Sequence, residues 1–178
     1  KSNLKIIYLS RITPKKNLIY ALNILSQVKS KINFDIYGII DEPKYWQSCE
    51  DLIKKMPKNI SVSYKGALRY ELVGSTFRKY DLFFFPTLGE NFGHVIPESL
   101  AQGTPVLTSK NVPWNYYHDN KSIWLINLKN KNKFIKIINK LSKMTTKSHE
   151  EQRARCLKAA EKIFKDELTI KAYKKLFN

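Results

Sequence analysis

Short apolar runs alternate with helix-length amphipathic segments six times along this 178-residue chain. The first run, Leu4–Leu9, has the length and composition typical of a strand buried on both faces. After a turn, apolar residues recur at helical spacing at positions 18, 21, 22, 25 and 28. Parallel strands need a long crossover between them, and that crossover is usually a helix. The alternation therefore predicts an α/β fold, a Rossmann-like, doubly wound parallel sheet of about six strands with helices on both faces.

The remaining elements follow from the same two periodicities. Further strands are expected at Ile32–Gly38, Ile60–Tyr64, Asp81–Phe85, Pro105–Leu107 and Ser122–Ile126. Helices are expected at Asn17–Lys29, Tyr45–Met56, Tyr70–Tyr80, Val95–Ala101, Phe134–Met144 and His149–Asn178, the last broken near Asp166. In that last helix the residues expected to face inward are Leu157, Ala160, Ile163, Phe164, Tyr173 and Phe177.

Composition limits the class of protein but not its partner. The net charge of +17 favours nucleic acid, an anionic membrane or a phosphorylated ligand. The excess is mostly Lys, accompanied by many Ile and Asn, a bias that an AT-rich genome also produces. No apolar run approaches the roughly 18 residues of a membrane helix, and no signal peptide is visible. Cys49 and Cys156 are expected to be reduced thiols, so we expect a cytoplasmic protein, with the inner membrane face as a second possible location.

Several common sites lack their motif. The chain contains no phosphate-binding G-x-x-x-x-G-K-[ST], no dinucleotide-binding G-x-G-x-x-G and no nucleophile elbow G-x-S-x-G. The three histidines have no metal-ligand spacing among themselves or with the cysteines. We therefore expect no metal site.

The candidate ligand-binding residues concentrate around the turn between the predicted strand Asp81–Phe85 and the predicted helix Val95–Ala101. A helix N-terminus near Gly93 and His94 would lie at the carboxyl edge of the sheet, where such sheets bind ligands and where anions are favoured. Glu90 and Glu98 flank this point, eight residues apart, and paired carboxylates suit a polyhydroxylated ligand. Spacing alone leaves open that Glu90 is solvated and Glu98 is an ordinary helix residue.

The full string resembles a known family. Glu90-Asn91-Phe92-Gly93-His94-Val95-Ile96-Pro97-Glu98 resembles the E-x7-E motif of retaining glycosyltransferases with the two-domain GT-B fold, family 4, or group 1. Phe85-Pro86-Thr87 before it and Glu98-Ser99-Leu100-Ala101-x-Gly103-x-Pro105-Val106 after it agree. The resemblance implies that residues 1–178 are the C-terminal, nucleotide-sugar-binding domain, that the N-terminal acceptor domain is absent, and that this fragment alone is inactive.

The resemblance also implies roles for particular residues. Arg11 and Lys16, five apart, would bind the donor diphosphate, although the family's flanking glycines are here Ser10 and Asn17. Glu98 would bind the ribose. The donor sugar would contact Glu90, Asn91, Phe92, Gly93 and His94, and the base would contact Ala67 and Leu68. Trp114 is expected either to line the sugar or interdomain cleft or to cover a loop.

The implied donor is a nucleoside diphosphate sugar, with UDP favoured over GDP or ADP, and catalysis is expected to need no metal or cofactor. No catalytic residue is assigned within this domain. A role in bacterial surface polysaccharide or glycolipid synthesis is implied, with a lipid-linked acceptor as a candidate partner. Two alternatives remain: a basic nucleic-acid-binding α/β module, which lacks a recognised motif, and another GT-B enzyme, such as a sugar-nucleotide epimerase or a phosphorylase-like protein.

Overall fold

The computed structural model describes residues 3–114, 119 and 121–165. Within them six strands form one sheet in the order β3-β2-β1-β4-β5-β6, and every pairing is parallel. The strands are β1 (Leu4–Leu9), β2 (Ile32–Tyr37), β3 (Ile60–Tyr64), β4 (Leu82–Phe85), β5 (Val106–Ser109) and β6 (Ile123–Ile126). The predicted doubly wound parallel sheet is confirmed.

Six helices cover the sheet in the described part of the chain: α1 (Leu18–Leu25), α2 (Pro43–Ile53), α3 (Tyr70–Phe77), α4 (Val95–Ala101), α5 (Lys131–Leu141) and α6 (Thr146–Lys165). Helix α1 packs against α2 and α5, whereas α4 packs against α3 and α6. These two groups form the two helical layers, so the prediction of helices on both faces is confirmed. A short 3-10 helix, Pro14–Lys16, precedes α1.

The strand order reverses between β1 and β4. The chain adds β2 and β3 on one side of β1 and then returns to place β4, β5 and β6 on the other. Both central strands are apolar, and Ile6, Ile7, Phe83 and Phe84 are fully buried. In open α/β sheets a crevice forms at the carboxyl ends of the strands at this reversal. The loops after β1 and β4 therefore define where a ligand site is expected.

Helix α6 corrects part of the sequence prediction. Leu157 and Phe164, predicted to face inward, are 50% and 40% exposed. The buried stripe is narrower and consists of Gln152, Cys156, Ala160 and Ile163. Leu157 follows Cys156 directly and is rotated about 100° away from that stripe. Tyr173, Phe177 and the predicted break near Asp166 lie outside the described residues.

Candidate functional site

Three loops meet at the carboxyl edge of the sheet, after β1, β4 and β5. Backbone hydrogen bonds tie them together: the Leu88 N–H donates to the Lys15 carbonyl at 2.9 Å, and the Glu90 N–H donates to the Asn111 carbonyl at 3.0 Å. The Ser109 hydroxyl, at the end of β5, donates to the Thr87 carbonyl at 2.5 Å. The three loops thus form one connected unit at the reversal of strand order.

A largely buried ion pair joins the first two loops. The Lys16 Nζ lies 2.5 Å from the Glu90 Oε1, and the two side chains are only 15% and 10% exposed. The ammonium also lies 5.7 Å from the centroid of the Phe85 ring, within range of a cation–π interaction. The residue predicted to hold the diphosphate and the residue predicted to hold the sugar are therefore in direct contact, although 74 positions separate them in the chain.

Thr87 supports this pair and is a residue that sequence reasoning did not assign. Its side chain is completely buried. The Oγ1 lies 3.0 Å from the Glu90 Oε1 and 3.2 Å from the carbonyls of Lys15 and Gly89, and it accepts a hydrogen bond from the Gly89 N–H. The only signal in the sequence was its place beside the E-x7-E string.

The turn after β1 keeps a glycine-like conformation without glycine. Asn17 has φ 61° and ψ 41°, the left-handed conformation, and it is the only non-glycine residue with positive φ in the described part of the chain. Asn tolerates this conformation better than other L-residues. Its Nδ2 donates to the Pro86 carbonyl at 2.9 Å, which fastens the turn to the loop after β4. The exchange of the family's glycine for Asn17 is thus accommodated.

Arg11 lies at the same edge but is held differently. Its Nη1 is 3.0 Å from the Asp41 Oδ2, in the loop after β2, and its side chain is 68% exposed. Because exposed pairs of this kind contribute little stability, the guanidinium can leave Asp41 at small cost. The structure brings Lys16 and Glu90 together but does not place Arg11 in that pair.

Helix α4 presents the second acid. Glu98 lies in its first turn and is half-buried, and no hydrogen-bond or ion-pair partner for its carboxylate occurs among the described residues. Burial raises the pKa of the Glu98 carboxyl. Burial also lowers the pKa of His94, so its imidazole is neutral at pH 7. Gly93, with φ 76°, turns the chain into the helix, and Asn91 is exposed just before it.

An aromatic cluster covers the start of this helix. The Phe92 ring centroid lies 4.3 Å from that of His94 and 4.9 Å from that of Trp114. Trp114 is 2% exposed, and its Nε1 donates to the Phe92 carbonyl at 2.7 Å. Of the two roles expected for Trp114, this geometry favours the covering of a loop.

The residues predicted to contact the base follow β3. Ala67 is exposed and Leu68 is half-buried in the loop that leads to α3. The Gly66 carbonyl, directly before them, accepts a hydrogen bond from the Gly38 N–H at 2.9 Å. This loop therefore lies at the same edge of the sheet as the Lys16–Glu90 pair, on the far side of β2.

Other features lie away from this edge. A cavity of about 520 Å³ opens at the opposite, amino edge, where His149 Nδ1 lies 4.0 Å from Asp81 Oδ1. It touches none of the predicted site residues. In the described ranges no group of three or more His, Cys, Asp or Glu is placed to hold a metal ion. No helix within those ranges has the length and apolar character needed to cross a membrane.

Solved structures define the class to which this fold belongs. HepE of Anabaena, solved with UDP and glucose, matches with a TM-score of 0.76 at 17% identity, over 90% of this chain and 44% of HepE. A point mutant of S. aureus TarM, solved with Fondaparinux, alpha-GlcNAc-glycerol and UDP, matches with a TM-score of 0.77 at 20% identity, over 100% of this chain and 36% of TarM. The fold is that of one half of a GT-B glycosyltransferase, and the chain spans less than half of either protein.

A third match is the catalytic domain of cholesterol-alpha-glucosyltransferase from Helicobacter pylori, with a TM-score of 0.72 at 16% identity, over 90% of this chain and 99% of that domain. The model of the family described as glycosyl transferases group 1 matches residues 1–163, and the chain therefore belongs to this family of glycosyltransferases. No curated protein matches the chain in sequence.

Proposed function

We propose that this chain binds the nucleoside diphosphate sugar donor of a retaining glycosyltransferase, with UDP preferred over GDP and ADP. The largely buried Lys16–Glu90 pair at the reversal of strand order carries the proposal, because it places a cation and a hydroxyl acceptor side by side where open α/β sheets bind ligands. The presence of UDP in the HepE and TarM structures supports the choice of base.

Lys16 and Arg11 would hold the diphosphate. The Lys16 ammonium is already at the crevice, and the exposed Arg11 can exchange Asp41 for phosphate oxygens, to which its guanidinium binds in a bidentate manner. As the bond to the sugar breaks, negative charge grows on the diphosphate. Cations at that point stabilise the charge without a proton transfer, so we expect electrostatic catalysis that needs no metal.

The acids and the backbone would hold the rest of the donor. Glu90 accepts hydrogen bonds from sugar hydroxyls, and Glu98 accepts them from the ribose diol, which gives its unpartnered carboxylate a ligand. The residues between them, Asn91–His94, would offer backbone N–H groups to the sugar and phosphate. Ala67 and Leu68 would contact the base. Each assignment carries the family's role to the matching position.

Acceptor binding would reside elsewhere in the whole protein. The resemblance predicts an N-terminal acceptor domain, so we expect these 178 residues alone to bind the donor but to transfer no sugar. A role in bacterial surface polysaccharide or glycolipid synthesis is our proposal for the whole protein. The name of the Helicobacter pylori relative, a cholesterol-alpha-glucosyltransferase, supports an acceptor of lipid character.

Calorimetric titration tests these assignments. The wild-type chain should bind UDP more tightly than GDP or ADP. Glu98→Ala should cost roughly 1.5–3 kcal/mol of UDP affinity, because a charged acceptor for the ribose is lost, and should leave pyrophosphate binding unchanged. Arg11→Ala should weaken UDP and pyrophosphate alike.

Two outcomes would contradict the assignments. One is a wild-type chain that binds none of the three nucleotides while remaining folded. The other is an equal loss of UDP and pyrophosphate binding in Glu98→Ala, which would remove the ribose role. Transfer of sugar to an acceptor by the 178-residue chain alone would overturn the expectation that it is inactive.

A further inference from the structure

The Lys16–Glu90 pair uses the same groups that the donor would need. The two side chains are only 15% and 10% exposed, so neither can turn to bulk water when its partner leaves. A diphosphate needs the ammonium of Lys16, and a sugar needs the carboxylate of Glu90. Each part of the ligand therefore competes with one member of a pair that the protein forms within itself.

We infer that Glu90 competes with a bare nucleoside diphosphate for Lys16, so that the spent nucleotide is bound more weakly than the sugar-bearing donor. This inference rests on the proposed function. It adds a property that the assignment of separate diphosphate and sugar residues does not contain, since it couples the two subsites through one ion pair.

The charges that face Glu90 and Lys16 change at each step of the cycle. When a bare diphosphate takes the ammonium, the Glu90 carboxylate, 10% exposed, loses its cation. A buried carboxylate without a partner is costly. When the complete donor binds, sugar hydroxyls replace the ammonium and that cost is offset. After transfer the sugar has left, Glu90 recaptures Lys16, and the diphosphate loses a cation.

Thr87 keeps the Glu90 carboxylate in place during this exchange. Its hydroxyl has one hydrogen and three acceptors within 3.2 Å: the Glu90 Oε1 and the carbonyls of Lys15 and Gly89. The hydrogen can therefore turn to Glu90 when Lys16 departs. One neutral donor replaces only part of what a cation supplies, because charge-assisted hydrogen bonds are about twice as strong as neutral ones. The competition thus persists.

The decisive variant is Glu90→Gln, which keeps the shape of the side chain and removes the competing charge. We expect UDP to bind this variant about tenfold more tightly than it binds wild type. This factor corresponds to the lower end of the free energy of one charge-assisted hydrogen bond. The UDP-sugar that wild type binds best, chosen from UDP-glucose, UDP-galactose and UDP-N-acetylglucosamine, should gain no affinity. Calorimetry with both ligands measures the ratio of the UDP-sugar affinity to the UDP affinity. This ratio should be lower in Glu90→Gln than in wild type.

Two controls separate competition from a general field effect. Glu98→Gln makes the same chemical change in the same motif, at a carboxylate with no cation partner among the described residues, and should not tighten UDP. In a Lys16→Met background, Glu90→Gln should give no gain, because the ammonium for which UDP and Glu90 compete is absent. Thermal unfolding checks that each variant is folded.

The outcomes are distinct. Unchanged or weaker UDP binding in Glu90→Gln, or a full gain that persists in the Lys16→Met background, would overturn the inference while leaving the proposed function intact. A wild-type chain that binds neither UDP nor any of the three UDP-sugars would instead overturn the proposed function.

Discussion

At the scale of single residues, the site contains one acid that is paired and one that is not. Glu90 has Lys16 and Thr87, whereas the half-buried Glu98 has no partner among the described residues. Burial without a partner disfavours the charged carboxylate, which is why the pKa of Glu98 is raised. The protein thus holds a destabilising charge that a ribose diol would relieve.

This leads to a prediction about stability and pH. Because the folded-state pKa of Glu98 is raised, the stability that this group contributes is present below the ordinary carboxyl pKa and is lost as the pH rises through the folded-state value. Glu98→Gln should therefore raise the unfolding temperature at pH 7 by a few degrees at most, and the difference should disappear near pH 4. Scanning calorimetry at both pH values measures this.

An exposed acid provides the control for that experiment. Glu150→Gln, on the solvent side of α6, should change the unfolding temperature little at either pH. If Glu98→Gln were instead less stable than wild type at pH 7, the Glu98 carboxylate would have a favourable partner in solution. Its charge would then not destabilise the fold.

The sequence suggests candidate residues for the site but does not show how they are arranged. The E-x7-E string and the Arg11 and Lys16 spacing are local patterns that one segment can display. The contact between Lys16 and Glu90 joins segments 74 positions apart, and a side-chain ion pair at that separation has no local signature. Asn17 is similar, since only the backbone shows that it takes the left-handed conformation that favours glycine.

At the scale of elements, the loops after β1 and β2 touch through a glycine. Gly38 has φ 147°, and a Cβ placed on it would lie 1.8 Å from the Ser10 carbonyl oxygen. The Ile12 N–H donates to the Ile39 carbonyl at 2.8 Å, so the two loops continue the pairing of β1 and β2 past the strand ends. This close approach positions the segment that carries Arg11 and the segment that carries Asp41.

We therefore predict that Gly38→Ala destabilises the fold by roughly 2–4 kcal/mol, because a backbone oxygen cannot move aside without separating the loops. Gly66→Ala is the matched control: it too has positive φ, 76°, but a Cβ there meets nothing within 4 Å. It should cost only about 1 kcal/mol, the penalty of the left-handed conformation. Urea unfolding of both variants measures the difference, and equal losses would show that the contact with Ser10 is unimportant.

Elements were predicted better than their ends and faces. Two elements match their predicted bounds. An apolar run marks Leu4–Leu9, and flanking glycines mark Val95–Ala101. Helix α1 stops at Leu25, before the predicted Lys29, although Val28 remains buried in the turn that follows. The exposure of Leu157 and Phe164 depends on how α6 packs on α4. Periodicity alone does not determine that packing.

At the scale of the whole molecule, part of the +17 net charge is clustered on one helix. Helix α5 carries exposed cations on its outer side: Lys131, Lys133, Lys136 and Lys140. Each lysine near an anionic membrane can contribute about 1 kcal/mol. We predict that the chain sediments with vesicles containing anionic lipid, that binding falls as salt rises, and that neutral vesicles bind little.

Two variants that each lose three lysine charges test whether α5 is the contact surface. Replacing Lys131, Lys133 and Lys136 with Gln should reduce vesicle binding more than replacing Lys54, Lys55 and Lys58, which are also exposed. An equal reduction would attribute binding to net charge alone. Equal binding to anionic and neutral vesicles would refute the membrane prediction, and tight, salt-sensitive DNA binding would favour the nucleic-acid alternative.

The reversal of strand order also has a consequence for synthesis on the ribosome. The edge of β1 that accepts β4 is closed by residues 76 positions later, as the Lys5–Asp81 hydrogen bond shows. At about 5–20 residues per second, a nascent chain keeps that apolar edge open for roughly 4–15 seconds. An open strand edge invites pairing with other chains. One pairing event therefore ends the period of greatest aggregation risk and brings together the two loops from which the ligand site is built.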